Sequence, residues 1–312
     1  MSMKKSNDLI IGCLCALGCE TLYGLSFIFT KHVTMTTSPF ALLGWRFLLA
    51  VIIMSICIAA GLMKVDLKNK PLKPLLFISF LTPCVYFVGE VIGVSHTTAS
   101  ETGVFLAFIP VASLIASTLI LKKKPTGVQV TGILVALAGV LATVFAVGAT
   151  SSFSVTGYTF LSIAMISYAL YCVYVEKASD YSGAEITYAM AVVGAVFFIS
   201  VALAEALCAG KTAELLSLPF RSRGFLSAVL YQGIGCSVIA FFLSNIAIAR
   251  IGVNRTASFI GVATVVAVLS GALVLKERFT LWQTIGTVVI IAGVYIANIK
   301  IKSGKKQAVS NR

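Results

Sequence analysis

Of 312 residues, 59% are hydrophobic and 11% are charged, and the mean hydropathy is +1.01. A water-soluble domain carries roughly 25% charged residues, so too few charges are present to coat a soluble globule, and bilayer hydrocarbon is the solvent that fits. The net charge of +13 would point to nucleic acid in a soluble protein. Here Lys and Arg gather at the ends of apolar runs and in the C-terminal tail, which reads as a topology signal and argues against nucleic-acid binding.

A membrane-spanning helix needs about 20 apolar residues, and ten stretches qualify. The first, 9–30, follows Lys4 and Lys5 and contains Ala16-Leu17-Gly18-Cys19, which imitates a lipoprotein cleavage site. The apolar run continues to Phe29, so it reads as a span and not as a removed leader. Glu20 lies 11 residues into these 22, near the midplane. The second, 40–62, opens with Trp45 and Arg46. The third, 74–95, contains Pro83 and Glu90 and is followed by His96. The fourth, 102–121, follows Glu101 and contains Pro110. Proline kinks or breaks a helix by removing a donor and crowding the preceding turn.

Lys122-Lys123-Lys124 separates the fourth span from the fifth, 127–148. The sixth, 156–176, carries Tyr168, Tyr171 and Tyr174 at a spacing that puts them on one side of a helix. After the seventh, 185–206, the eighth, 224–249, holds Tyr231, Gln232, Ser237, Ser244 and Asn245 within an apolar run. The ninth and tenth are 255–275 and 281–299, and 300–312 is a polar, basic tail expected to be disordered. The connections are too short for a sizeable soluble domain. The eight cysteines lie mostly inside apolar runs without zinc spacing, and read as small buried apolar side chains. No phosphate-binding Gly-x-x-x-x-Gly-Lys, catalytic triad or metal cluster is visible. ATPase chemistry, a catalytic site, a metal and a cofactor are therefore not expected.

Residues 102–140 and 256–294 echo one another. A shift of 154 lays Thr102 on Thr256, Phe105 on Phe259, Lys122 on Lys276, Thr126 on Thr280, Gln129 on Gln283, Gly132 on Gly286 and Gly139 on Gly293. Each copy is an apolar helix, a charged break and a second apolar helix. Five spans per half is an odd number, so the copies must be inverted in the membrane, as in many secondary transporters. With the N-terminus inside, seventeen of the 24 Lys and Arg fall on the cytoplasmic side, supporting cytoplasmic termini. Thr126 with Gln129, and Thr280 with Gln283, fit a capping box. Gly132 with Gly139, and Gly286 with Gly293, give each helix a small-residue face. That face reads as scaffold, or as a surface for self-association.

The stretch Leu275-Lys276-Glu277-Arg278 leading to Gly286 and Ala292-Gly293-Val294 resembles the EamA family of the drug/metabolite transporter superfamily. Tyr23-Gly24-Leu25-Ser26-Phe27 with Lys31 is similar to that family's first-helix pattern, and Arg46-Phe47 and Pro110 also fit. The resemblance covers residues 9–299. It implies an all-α membrane protein of ten transmembrane helices, in two inverted five-helix repeats around a central cavity, and export of small metabolites or amino acids. The repeats would be 1–148 and 156–299, followed by a basic tail, 300–312. The chain departs from the pattern at Tyr23 in place of Trp, at Lys123 in place of Glu, and at Thr264 where Pro is common. The last predicts a straighter ninth helix than fourth.

Ionisable groups deep in a bilayer are costly, by about 2.5–3.5 kcal/mol for Asp, Lys or Arg on insertion scales. Glu20 is the deepest and is expected to bind a proton or a cation, or else to be a hydrogen-bonded structural group. Glu90, Tyr168, Tyr171, Gln232 and Asn245 are candidate substrate contacts. Arg46, His96 and Glu101 are candidate outer-gate residues, with Arg46 pairing with Glu90 or Glu101; interfacial anchoring is the alternative. The expected cavity is lined by helices 1, 3, 4, 6, 8 and 9. The functional expectation is a secondary transporter of the inner or plasma membrane, an efflux permease with protons as the candidate coupling ion, acting as monomer or homodimer. The alternatives are a multidrug or organic-cation transporter, a non-transporting scaffold or sensor, and a lipid-acting enzyme. Two histidines, His32 and His96, weigh against the enzyme.

Overall fold

A computed structural model describes residues 2–30, 33, 37–68, 70–145, 154–274 and 280–298. The expected positions Lys31, His32, 146–148, Leu275 to Arg278 and the tail lie outside these. Among the described residues the secondary structure is all helical. Ten helices are long and apolar enough to cross a membrane: α1 (Ser2–Thr30), α2 (Pro39–Ala59), α3 (Leu72–Ser95), α4 (Glu101–Ile120), α5 (Gly127–Phe145), α6 (Val155–Lys177), α7 (Gly183–Cys208), α8 (Arg223–Ile251), α9 (Val253–Val274) and α10 (Leu281–Asn298). Each overlaps one predicted span. α2 stops short of residue 62 because Gly61 takes the left-handed φ of +72°, where the chain can turn out of a helix without a side-chain clash. A short amphipathic helix, Thr212–Arg221, precedes α8 and was not foreseen. Trp45 Nε1 ties it to α2 through the Leu215 carbonyl, 3.1 Å away.

The inverted repeat is written into one helix pair. α5 and α10 form the most extensively packed pair in the molecule. A Cβ added to Gly132 would lie 2.3 Å from the Ala297 nitrogen, and one on Gly139 2.7 Å from that of Ile290. Numbers rise along α5 as they fall along α10, so the helices are antiparallel. The shift of 154 converts these contacts into Gly286 against Thr143 and Gly293 against Ala136, and both exist, at 2.5 Å and 2.3 Å from the added Cβ. Each half therefore packs on the other as the other packs on it. This corrects the self-association reading: the glycine faces are used within the chain, where they let two backbones approach closely. Both capping boxes form, with Gln129 N–H donating to Thr126 Oγ1 and Gln283 N–H to Thr280 Oγ1, each at 3.2 Å.

Four helices lose regular geometry at depth. α3 is π-helical over Phe80–Val85, with Thr82 extended (φ −136°, ψ 116°) before Pro83, joined by a cis peptide bond. α4 breaks at Phe108 and resumes at Ile109-Pro110. α8 is π-helical over Tyr231–Ala240. α9 breaks at Phe259, whose N–H bonds the Thr256 carbonyl at 3.0 Å. The expectation of a straighter ninth helix, based on Thr264, is corrected: the interruption forms without proline. Irregular backbone is tolerated at membrane depth where protein or a cavity surrounds it. All four breaks border one cavity, which Thr82, Pro110, Cys236 and Ser258 line.

Candidate functional site: the central cavity

The cavity has a volume of about 510 Å³ and lies between the two repeats. Helices α1, α3, α4, α6, α8 and α9 line it as expected, and α2 and α5 contribute as well. At one end it reaches Pro39, the first residue of α2, and Gly103 in the first turn of α4. Toward the face that carries Lys122–Lys124, its wall includes Ser258, the sixth residue of α9, and Ile133, the seventh of α5.

That basic face is closed by ion pairs between the repeats. Lys70 meets Glu185 at 2.8 Å, Arg250 meets Asp8 at 2.5 Å, and Lys123 pairs with Glu176. Glu176 also accepts the Val253 N–H at 2.6 Å, at the start of α9. Glu185 caps α7 through Ser182 N–H (2.8 Å) and accepts Asp66 N–H (3.1 Å).

Glu20 sits on the cavity wall at 5% exposure. Among the described residues no hydrogen bond or ion pair reaches its carboxylate. Its surroundings are rings: Tyr23, Tyr86, Phe87 and Tyr168 share the wall. Glu90, one turn beyond Tyr86, accepts that tyrosine's hydroxyl at 3.1 Å. Tyr168 lies with its ring centroid 5.6 Å from that of Tyr86.

Arg46 is the eighth residue of α2 and is 95% buried, at 5% exposure, not at the membrane interface. Its Nε donates to Ser237 Oγ (2.9 Å) and its Nη1 to Gln232 Oε1 (2.8 Å). The guanidinium lies 4.8 Å from the Phe87 ring centroid and 5.0 Å from that of Phe47. It forms no ion pair with Glu90 or Glu101, so the expected gate pairs are corrected. The π-helical stretch of α8 brings Gln232 and Ser237 to the guanidinium instead. Gln232 is thereby an arginine holder on the cavity wall.

Tyr171 and Asn245 are not on the wall. The Tyr171 hydroxyl donates to Asn245 Oδ1 at 2.7 Å, and Asn245 Nδ2 donates to Thr187 Oγ1 at 3.0 Å. Asn245 is fully buried. The pair ties α6 and α8 to α7 and satisfies its own polar atoms, which corrects the substrate-contact expectation for both. Glu101 caps α4 in a box with Thr98 and accepts the Tyr158 hydroxyl. His96 is exposed at the end of α3, its Nδ1 2.9 Å from the Ile92 carbonyl. Neither borders the cavity.

Sequence reasoning missed Tyr23 and Tyr86 as wall residues, and Ser237 as an arginine ligand. The spacing of four between Tyr86 and Glu90 was an available signal, since such pairs meet on a helix face. Ser237 carried none, because its reach to Arg46 depends on the π-helical register of α8. Among the described residues, no group of three or more His, Cys, Asp or Glu could hold a metal ion.

Ten membrane-length helices in two inverted repeats around a cavity with buried charges define a multi-pass membrane protein of the transporter class. The sequence profile of the EamA-like transporter family matches residues 10–145 and again 155–299, and the chain belongs to that family. It is 30% identical over 288 residues to the uncharacterized transporter YcxC of Bacillus subtilis (strain 168), covering 92% of each chain. It is 27% identical to the uncharacterized transporter YetK of the same organism, over 90% of this chain and 84% of that one. A solved crystal structure superposes with a TM-score of 0.74 over 94% of this chain and 96% of the other; at 19% identity this likeness concerns the fold.

Proposed function

We propose that the protein is a secondary transporter of the cell membrane that exports small metabolites or amino acids by alternating access, with both termini cytoplasmic. The observation that carries this reading is the one-sided cavity. It lies between the inverted repeats, extends to the outer ends of α2 and α4, and stops short of the basic face, where ion pairs join the halves. Rocking the repeats 1–148 and 156–299 against one another would part those pairs and close the far end. The basic face is the cytoplasmic one, in line with the bias of Lys and Arg. Glu20 binds a proton or a positive group of the solute, Glu90 and Tyr168 line the path, and Gln232 fixes Arg46. The driving force is an ion gradient, a solute gradient or exchange.

The test is an uptake and efflux screen in proteoliposomes, with and without a pH gradient. A defined class of solute should move, and Glu20→Gln should abolish pH-driven movement while the protein still inserts and runs as a single species. If no solute moves under any gradient, the scaffold or sensor reading replaces this one.

A further inference from the structure

Two polar groups on the cavity wall have nothing to bond to among the described residues. Arg46 is the one cationic side chain on that wall among those residues. Its Nε and Nη1 are answered by Ser237 and Gln232, while Nη2 is buried with no hydrogen-bond partner. The guanidinium stands at the cavity surface, because Phe87 and Gln232, which flank it, are themselves wall residues. The second group is Thr82 Oγ1, buried and equally without a partner, at the extended residue that interrupts α3. The two belong to adjoining stretches of wall. Pro83 and Phe47, the residues that follow them in the chain, close on one point. A Cβ added to Gly194 of α7 would lie 2.7 Å from Pro83 Cγ and 2.9 Å from Phe47 Cδ1.

Buried polar groups are satisfied as a rule, and a guanidinium N–H without an acceptor is among the costliest exceptions. Neither wall carboxylate supplies the acceptor: Nη2 bonds neither Glu20 nor Glu90, and Glu90 accepts the Tyr86 hydroxyl instead. What completes Nη2 and a hydroxyl together is a pair of acceptor oxygens. A carboxylate fits best, since a hydrogen bond from cation to anion is shorter and stronger than one to a neutral carbonyl. Glu20 and Glu90 oppose a second negative group by like-charge repulsion, so the solute carries one. Much of the remaining wall is apolar, with Leu106, Ile133, Val140 and Val268 lining a space of about 510 Å³. Small-molecule sites run to roughly 300–1,000 Å³.

We propose that the solute carries a single carboxylate on an apolar body, and that Arg46 Nη2 and the Thr82 hydroxyl receive that carboxylate. This rests on the transporter reading and deepens it by naming the group on the solute that the wall recognises.

The test is calorimetric binding to the purified full-length protein with matched probes. 3-Phenylpropionate is compared with its neutral isostere 3-phenylpropanamide, and phenylalanine with phenylalaninamide. Within at least one pair the carboxylate should bind more tightly by about tenfold or more. Benzylmalonate, which adds a second carboxylate to 3-phenylpropionate, should bind more weakly than the better carboxylate by about tenfold or more. Thr82→Val removes the hydroxyl and keeps the shape. It should weaken the carboxylate by roughly twofold to tenfold without lowering the unfolding midpoint. Arg46→Gln should bring the carboxylate-over-amide ratio close to one, whereas loss of a merely structural arginine would weaken both members alike and preserve the ratio. If Arg46→Gln does not fold, the wild-type ratios and Thr82→Val decide alone. Equal binding within both pairs, benzylmalonate as tight as the better carboxylate, full carboxylate affinity in Thr82→Val, or a preserved ratio in Arg46→Gln would overturn the assignment. Solute movement in the proteoliposome screen without a carboxylate preference would sink this inference and leave the transporter reading standing. Carboxylate binding with no solute moved under any gradient would do the reverse.

Discussion

Glu20 and Glu185 are both buried carboxylates on membrane helices, at 5% and 3% exposure, and they are treated in opposite ways. Glu185, in the seam at the basic face, is saturated: Lys70 at 2.8 Å and two backbone N–H groups converge on it. Glu20, in the cavity, has no partner among the described residues. The same chain thus completes its structural carboxylates and leaves one bare where a solute can reach it. Burying a charge is tolerated when it is paired, so an unpaired one on a cavity wall marks a site that something else completes.

The largest expected effect is in the seam. Glu185→Ala strands Lys70 and removes the acceptor for Asp66 and Ser182 N–H, and should cost about 2–4 kcal/mol of stability. Thermal unfolding in detergent would register this as a clear drop in midpoint, and an unchanged midpoint would mean the seam does not hold the repeats. Next come the glycines of the α5–α10 pair. Gly293→Val places a side chain where a Cβ would already sit 2.3 Å from the Ala136 nitrogen, and backbone cannot yield as a flexible side chain does. A loss of about 1–3 kcal/mol is expected. Gly139→Val occupies the position related by the inverted repeat and should lose a similar amount. A large difference between the two would break the pseudo-symmetry that joins the halves. Smaller again is Lys123→Met. Lys123 is 63% exposed while Glu176 keeps the Val253 N–H, so the loss should stay within about 1 kcal/mol, as for other exposed pairs.

Much of this architecture is legible in the sequence, because lipid imposes simple rules. Apolar length fixes the ten spans, and the 154-residue echo with an odd number of spans per half fixes the inversion. The capping boxes of Thr126 and Thr280 are local, so spacing alone reveals them. The site is less legible. Arg46 looks interfacial in sequence because it follows Trp45 near the start of an apolar run. Its burial depends on Gln232 and Ser237, which stand 186 and 191 residues away in the chain. Tyr171 and Asn245 look like cavity groups because they are polar within apolar runs. They satisfy each other across the α6–α8 contact, a pairing that no periodicity encodes. The break of α9 at Phe259 likewise has no proline to announce it. Glu20 was legible because depth alone makes a carboxylate conspicuous, and the structure adds what depth cannot, the absence of any described partner.

The most direct test of this contrast is the unfolding midpoint of Glu20→Gln measured beside that of Glu185→Ala. Removing a bare buried charge should cost nothing or stabilise slightly, by about 0–1 kcal/mol at most, so Glu20→Gln should unfold at or above the wild-type temperature. If it instead falls as far as Glu185→Ala does, Glu20 is a structural group like its counterpart in the seam, and the cavity loses its assigned site.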